Sequence, residues 1–239
     1  MTRALALATL MMAAQIMGTH AAWSADAAKS EAPKAEADKA APVKAEAAKA
    51  DTAKADTAKG QAIVSKVCVA CHAADGNSPA PANPKLAGQI PEYIQKQLTN
   101  FKPGANGKAE RANPVMAGFA ATLSTDDMRN VAAYFAAQKP STGAAKNKDT
   151  VVIGQRLYRG GDVAKGIAAC ASCHGATGAG VPSQYPRLAG QHAEYTEAQL
   201  KAFRAKERNN DSAGMMRSIA AKMTDAEIRA VSDYIAGLR

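Results

Sequence analysis

Four cysteines in this 239-residue chain fall into two copies of one pattern, Cys68-Val69-Ala70-Cys71-His72 and Cys170-Ala171-Ser172-Cys173-His174. A cysteine pair spaced this way admits three chemistries. It could be a redox dithiol, half of a zinc site, or the anchor of a porphyrin whose two vinyl groups accept the thiols while the next histidine turns onto the iron. Structural zinc takes four ligands, and beyond residue 25 the histidines are His72, His174 and His192 alone. A thioredoxin-like dithiol sits on a βαβ pattern, and strand signals are absent. Disulfides closing two-residue gaps would be strained and would leave both histidines unexplained. Covalent haem c uses every residue of both motifs. Cys68, Cys71, Cys170 and Cys173 become the thioether attachments, and His72 and His174 the proximal iron ligands.

The two motifs belong to an internal repeat. Pro84-Lys85-Leu86-Ala87-Gly88-Gln89-Ile90-Pro91-Glu92-Tyr93 faces Pro186-Arg187-Leu188-Ala189-Gly190-Gln191-His192-Ala193-Glu194-Tyr195, the same offset that maps Cys68 onto Cys170. Two tandem domains follow, 60–142 and 143–239, joined through Lys139-Pro140-Ser141-Thr142-Gly143. The repeat also addresses the sixth iron position. Histidine is nearly exhausted, so methionine, which raises the reduction potential, is the candidate. Alignment selects Met116 in the first half and Met216 in the second. Met215, which matches Val115, is the alternative one residue out of register. Met128 and Met223 fall in helical patterns and read as core filler. His192 matches Ile90 and is placed on a loop.

All-α elements position these residues. Ser124-Thr125-Asp126-Asp127 and Thr224-Asp225-Ala226-Glu227 are capping boxes. Apolar residues then recur at helical spacing: Met128, Val131, Tyr134 and Phe135 in one copy, Ile228, Val231, Tyr234 and Ile235 in the other. Helices are also expected from Glu92 to Phe101, from Glu194 to Phe203, and leading into each cysteine pair from Gly60 and Gly154. Each domain is small, and the whole chain has four phenylalanines. Domains of this size bury a modest core and need a staple. A large apolar ring bonded beside each histidine would supply it.

The chain's beginning reads as separate from this repeat. Residues 1–25 have the basic start, short apolar run and small-residue end of a secretory signal peptide, too short for a membrane span. In 26–59 lysine recurs every five residues among Ala, Asp and Glu, a period that fits neither helix nor strand, and the tract reads as a disordered linker. The remaining charge is basic: 8 basic against 5 acidic residues in 60–142, net +3, and 14 against 9 in 143–239, net +5. No basic run accompanies it, which argues against nucleic acid and for an acidic protein surface.

With its two CxxCH motifs, the repeated Pro-Lys/Arg-Leu-Ala-Gly-Gln stretch and Met215-Met216-Arg217-Ser218-Ile219-Ala220-Ala221-Lys222-Met223, the chain resembles the dihaem cytochrome c4 family over about 60–239. The resemblance implies two class I cytochrome c folds in tandem, two covalent haems c and His/Met ligation by His72 with Met116 and His174 with Met216. It further implies a periplasmic one-electron carrier between respiratory complexes, loosely membrane-associated, taking electrons from a quinol–cytochrome c reductase or dehydrogenase and donating to a terminal oxidase. Two features depart from the family pattern: Val115 stands where a second methionine is common, and an extension around Gly160-Gly161-Asp162 lengthens the approach to Cys170. Two rival functions share the fold. One is the haem subunit of a dehydrogenase complex. The other is a dihaem peroxidase, which needs an accessible iron that the ligand supply here argues against.

Overall fold

The computed structural model describes residues 54–239. The signal-peptide reading at 1–25 and most of the lysine-periodic tract lie outside the described residues. Among those residues the regular structure is helical, joined by isolated β-bridges.

Helix α1 (Thr57–Ile63) begins inside the stretch assigned above to the linker, which is a correction. The cause is local. The Asp56 carboxylate accepts from the amides of Ala58 and Lys59, each at 3.0 Å, and Asp56 N–H donates to Asn130 Oδ1 at 2.8 Å. Residues 56–59 are therefore part of the first domain. After α1 a π-helical turn, Val64–Cys68, leads into α2 (Val69–His72). Then come α3 (Pro91–Phe101), α4 (Pro114–Ala121) and α5 (Thr125–Ala136). The second domain repeats the order as α6 (Val151–Gly160), α7 (Ala171–His174), α8 (Ala193–Arg204), α9 (Met215–Ala220) and α10 (Asp225–Gly237). Both capping boxes form with reciprocal side-chain and backbone bonds, at Ser124/Asp127 and Thr224/Glu227. They satisfy amides that would otherwise lack partners at the helix starts.

In each domain the last helix is the hub: α5 packs on α1 and α3, and α10 on α6 and α8. The apolar faces read from the sequence are the ones buried, with Val131 and Phe135 in one core and Ile228, Val231 and Ile235 in the other. Glycine sets the crossings. A Cβ on Gly60 would lie 2.2 Å from Asn130 O, and one on Gly154 would lie 2.1 Å from Ala230 O. The obstacle is backbone, which cannot rotate aside. Alanine gains about 1 kcal/mol of helix propensity over glycine, but overpacking costs about 1–3 kcal/mol and occasionally more. Gly154→Ala is therefore expected to lower the midpoint of denaturant unfolding of the holoprotein, followed by circular dichroism. An unchanged midpoint would mean that α6 and α10 do not cross this closely.

Two segments outside the helices are tied to their surroundings by hydrogen bonds. The extension before Cys170 closes on itself, with Asp162 and Ile167 exchanging backbone bonds of 2.9 and 2.8 Å. Gly161 turns the chain at φ 67°, and a Cβ there would meet Ile167 O at 2.2 Å. The closed turn delivers Ile167, 4 % exposed, to the second core. The join between domains is also laid down on its neighbours. Asn77 donates to Lys139 O and accepts from Ser141 N–H, and the Asp233 carboxylate accepts from the amides of Lys146 and Asn147.

The domains meet through a polar, two-fold-like interface. Arg111 stacks over Phe101 at 4.6 Å, and Arg208 over Phe203 at 4.5 Å. Arg111 donates across to Tyr195 Oη (2.9 Å) and Gln199 Oε1 (2.8 Å), while Arg208 donates across to Tyr93 Oη (3.0 Å) and Gln97 Oε1 (3.2 Å). Both arginines are buried. The planar fork and delocalised charge of guanidinium suit this combination of stacking and multiple donation better than lysine would.

Candidate functional site

Each domain brings the first cysteine of its motif and a methionine to one core. In the first, Cys68, Leu86 and Met116 pack against the cluster of Val64, Leu98, Val131 and Phe135. In the second, Cys170, Leu188 and Met216 pack against Leu157, Tyr158, Ile228 and Ile235. The carriers differ in how they reach this point. A short helix holds each histidine at its C-terminal end, α2 for His72 and α7 for His174. Met116 sits in the first turn of α4, its N–H bonded to the Asn113 cap at 2.9 Å. Met216 is the second residue of α9, which follows a turn with Ala213 and Gly214 in the left-handed region, at φ 51° and 68°. The Asp211 carboxylate then accepts from the backbone and guanidinium of Arg217 at 3.0 and 2.7 Å. Met215 is half-buried and is not among the residues packed on the second core.

The histidines are prepared as neutral ligands. His72 Nδ1 lies 2.9 Å from Pro84 O, and His174 Nδ1 lies 2.9 Å from Pro186 O. A carbonyl only accepts, so Nδ1 carries the proton and the Nε2 lone pair is left for a metal. Burial pushes both imidazoles below their usual pKa, against a smaller opposing effect of the carbonyl bonds, and so favours the neutral form.

The thiols point the same way. All four are free, and burial pushes Cys68 and Cys170 up to about 11. A redox dithiol or zinc ligand is activated by a lowered pKa; these thiols are instead apolar groups against an apolar core, suited to thioether formation. One further atom tests the fit. Arg187 Nε is buried without a hydrogen-bond partner, and an unpaired buried donor costs about 1–3 kcal/mol. A propionate of the ring is the kind of group that would satisfy it. The residues present therefore fit haem c in both domains.

Several functional residues carried no readable signal. Tyr158, fully buried, donates to Gly175 O at 2.7 Å, directly after the second motif. His192, placed on a loop from its match to Ile90, is the N-cap residue of α8, and its Nε2 lies 2.8 Å from Ser78 O in the other domain. Gln89 and Gln191 lie in the recognised repeat, yet nothing local says what they hold. Each bonds a backbone segment of the opposite domain, about a hundred residues away in sequence.

Comparison with known proteins agrees with two tandem domains of one family. The cytochrome c family model matches residues 57–139 and again 151–239. The chain is 48 % identical over 178 residues to cytochrome c4 of Azotobacter vinelandii, covering 72 % of this chain and 84 % of that one. It is 41 % identical over 177 residues to a thiosulfate dehydrogenase electron acceptor of Thiomonas intermedia, covering 71 % and 77 %. Among solved structures, reduced recombinant cytochrome c4 from Pseudomonas stutzeri superposes with a TM-score of 0.73 at 44 % identity, covering 78 % of this chain and 100 % of that one.

Proposed function

Because the chain belongs to the cytochrome c4 family of tandem dihaem cytochromes c, we propose that it is a periplasmic one-electron carrier with both irons closed, one between His72 and Met116 and one between His174 and Met216. It carries two covalent haems c and is an electron-transfer protein rather than an enzyme. The observation that supports closed coordination most directly is a repeated one. In each domain the methionine and the first cysteine of the motif pack on one core, and the histidine that ends the motif is buried.

When bound, the haems supply the reversible iron couple. The chain's residues do the rest. Cys68, Cys71, Cys170 and Cys173 fix the rings by thioether bonds, and the Pro84 and Pro186 carbonyls hold the imidazole tautomer. Met116 and Met216 provide the soft ligand that raises the potential. The apolar clusters exclude water, and burial of the iron site is a second lever on potential. Arg187 Nε offers the ring a buried donor. The polar interface keeps the domains in one arrangement, so that the distance between the redox centres is set by protein.

The donor and acceptor follow from the same reading: electrons arrive from a quinol–cytochrome c reductase or a dehydrogenase and leave to a terminal oxidase, with peripheral attachment to the membrane. Likeness to a thiosulfate dehydrogenase electron acceptor favours a second reading, in which the chain is the haem subunit of a dehydrogenase complex. The excess of basic residues, net +3 and +5 in the two domains, suits acidic partner surfaces. The test is rapid mixing of reduced holoprotein with a terminal oxidase at several salt concentrations. Delivery of two electrons per chain at a rate that falls with ionic strength is expected, with no consumption of peroxide by the holoprotein alone. Peroxide turnover would replace the carrier by a peroxidase, and a salt-independent rate would remove the acidic partner.

A further inference from the structure

We propose that Gln89 and Gln191 are positioning residues for the proximal histidine of the opposite domain, so that each glutamine tunes the haem it does not share a domain with. The inference rests on His72 and His174 being the proximal ligands, as proposed above.

The geometry is a crossed pair of relays. The peptide unit joining Pro84 to Lys85 is engaged at both ends. Its carbonyl accepts from His72 Nδ1 at 2.9 Å, and its N–H donates to Gln191 Oε1 at 2.9 Å. Gln191 Nε2 returns to Lys85 O at 3.0 Å. The peptide unit joining Pro186 to Arg187 is engaged in the same way, by His174 Nδ1 at 2.9 Å and by Gln89 Oε1 at 2.8 Å. Gln89 Nε2 returns to Arg187 O at 2.9 Å. Each glutamine thus grips the residue after the proline with two hydrogen bonds, like an added strand, from across the interface.

The placement matters because C=O and N–H of one peptide polarise each other. An acceptor on the N–H draws density onto the carbonyl oxygen, making it a better acceptor, and chains of hydrogen bonds strengthen cooperatively in a low dielectric. Here the strengthened bond is the one that pulls on the Nδ1 proton of the iron-bound imidazole. A stronger pull makes the ring a more basic ligand, which favours the ferric state and lowers the potential. The site is dry enough for this to count: His72, His174 and Gln89 are each 6–7 % exposed. The glutamines are also locked. Gln89 Oε1 accepts a second bond from Ile90 N–H at 2.9 Å, and Gln191 Oε1 one from His192 N–H at 3.0 Å. A side chain held this way has one rotamer to offer, and the relay is preorganised.

The test uses ferric holoprotein labelled with 15N in histidine, followed by NMR through a redox titration, so that each axial histidine reports the midpoint of its own haem. Gln191→Met keeps the shape of the side chain and removes both hydrogen-bonding atoms. It is expected to shift the His72 ring signals and raise the first domain's midpoint, leaving His174 in place. Gln89→Met is expected to do the reverse. Gln191→Glu retains an oxygen for Lys85 N–H, with more charge, and should move the His72 signals in the direction opposite to Gln191→Met; it carries the test if Gln191→Met does not fold. Arg111→Gln, which cuts the interface at the other cluster, is expected to leave both histidines unmoved. Same-domain responses, equal responses of both histidines, no response, or an equal response to Arg111→Gln would each overturn the crossed relay. Failure of the underlying ligand reading looks different: the wild-type protein would lack two hyperfine-shifted histidines before any glutamine is changed.

Discussion

Replacing Cys170 and Cys173 together by alanine is expected to leave one haem per chain and a second domain without a fixed tertiary structure. The reason is the thinness of the core. This small domain has a single buried cluster, of side chains such as Leu157, Tyr158, Ile228, Val231 and Ile235, and a domain of its size buries only a modest core. A domain's whole stability is about 5–15 kcal/mol, and apolar burial is worth roughly 25 cal/mol per Å². The surface that a porphyrin covers on both faces is therefore comparable with the entire margin. The same loss strands Arg187 Nε and leaves His174 buried without a metal on Nε2. The damage should stay mostly local, because the first domain has its own cluster around Val131 and Phe135, though Arg111 loses the partners Tyr195 and Gln199. Haem counting per chain by alkaline pyridine spectra, with limited proteolysis, reads both effects. A protease-resistant second domain with one haem per chain would show that the protein core suffices alone.

Met216→Ala is expected to open one iron. Wild-type reduced holoprotein should bind no carbon monoxide. The variant should take up about one molecule per chain and lose the methionine–iron charge-transfer band of one haem, while that haem's potential falls, since a methionine ligand raises it. Met215→Ala should do none of these. Adjacent positions on a helix of 3.6 residues per turn point about 100° apart, so α9 can aim one of the two methionines at the core. Met216 is the one packed, as Cys170 and Leu188 are, on the second core, while Val115, the match to Met215 in the other domain, is 63 % exposed. The aim of α9 depends on the turn before it, where Gly214 takes a left-handed conformation and Asp211 anchors Arg217. Carbon monoxide uptake by Met215→Ala instead would move the ligand by one residue and shift the register of α9 with it.

What the sequence by itself determined is what depends on neighbours in the chain. The cysteine pair and its histidine must be contiguous, because two thioethers and an axial ligand have to meet one ring. The capping boxes close over three residues, and the apolar faces of α5 and α10 repeat at helical spacing, so both were legible. The repeat made the two sites visible as a pair, and its change of offset between Cys170 and Met216 left one register of doubt. Tertiary structure decided the rest. Arg111 and Arg208 play matching roles although neither offset of the repeat aligns them; Arg111 falls opposite Asp211 or Ala213. Gln89 and Gln191 were visible as repeated residues, but their partners lie 98 and 106 positions away. A hydrogen bond across that separation leaves no periodicity, cap or spacing to read, because it forms only after two folded surfaces meet. Even the start of α1 moved for this reason, since Asp56 is tied to Asn130 of α5. The chemistry of this protein is written locally, and the coupling between its two halves is set by the packing of one domain against the other.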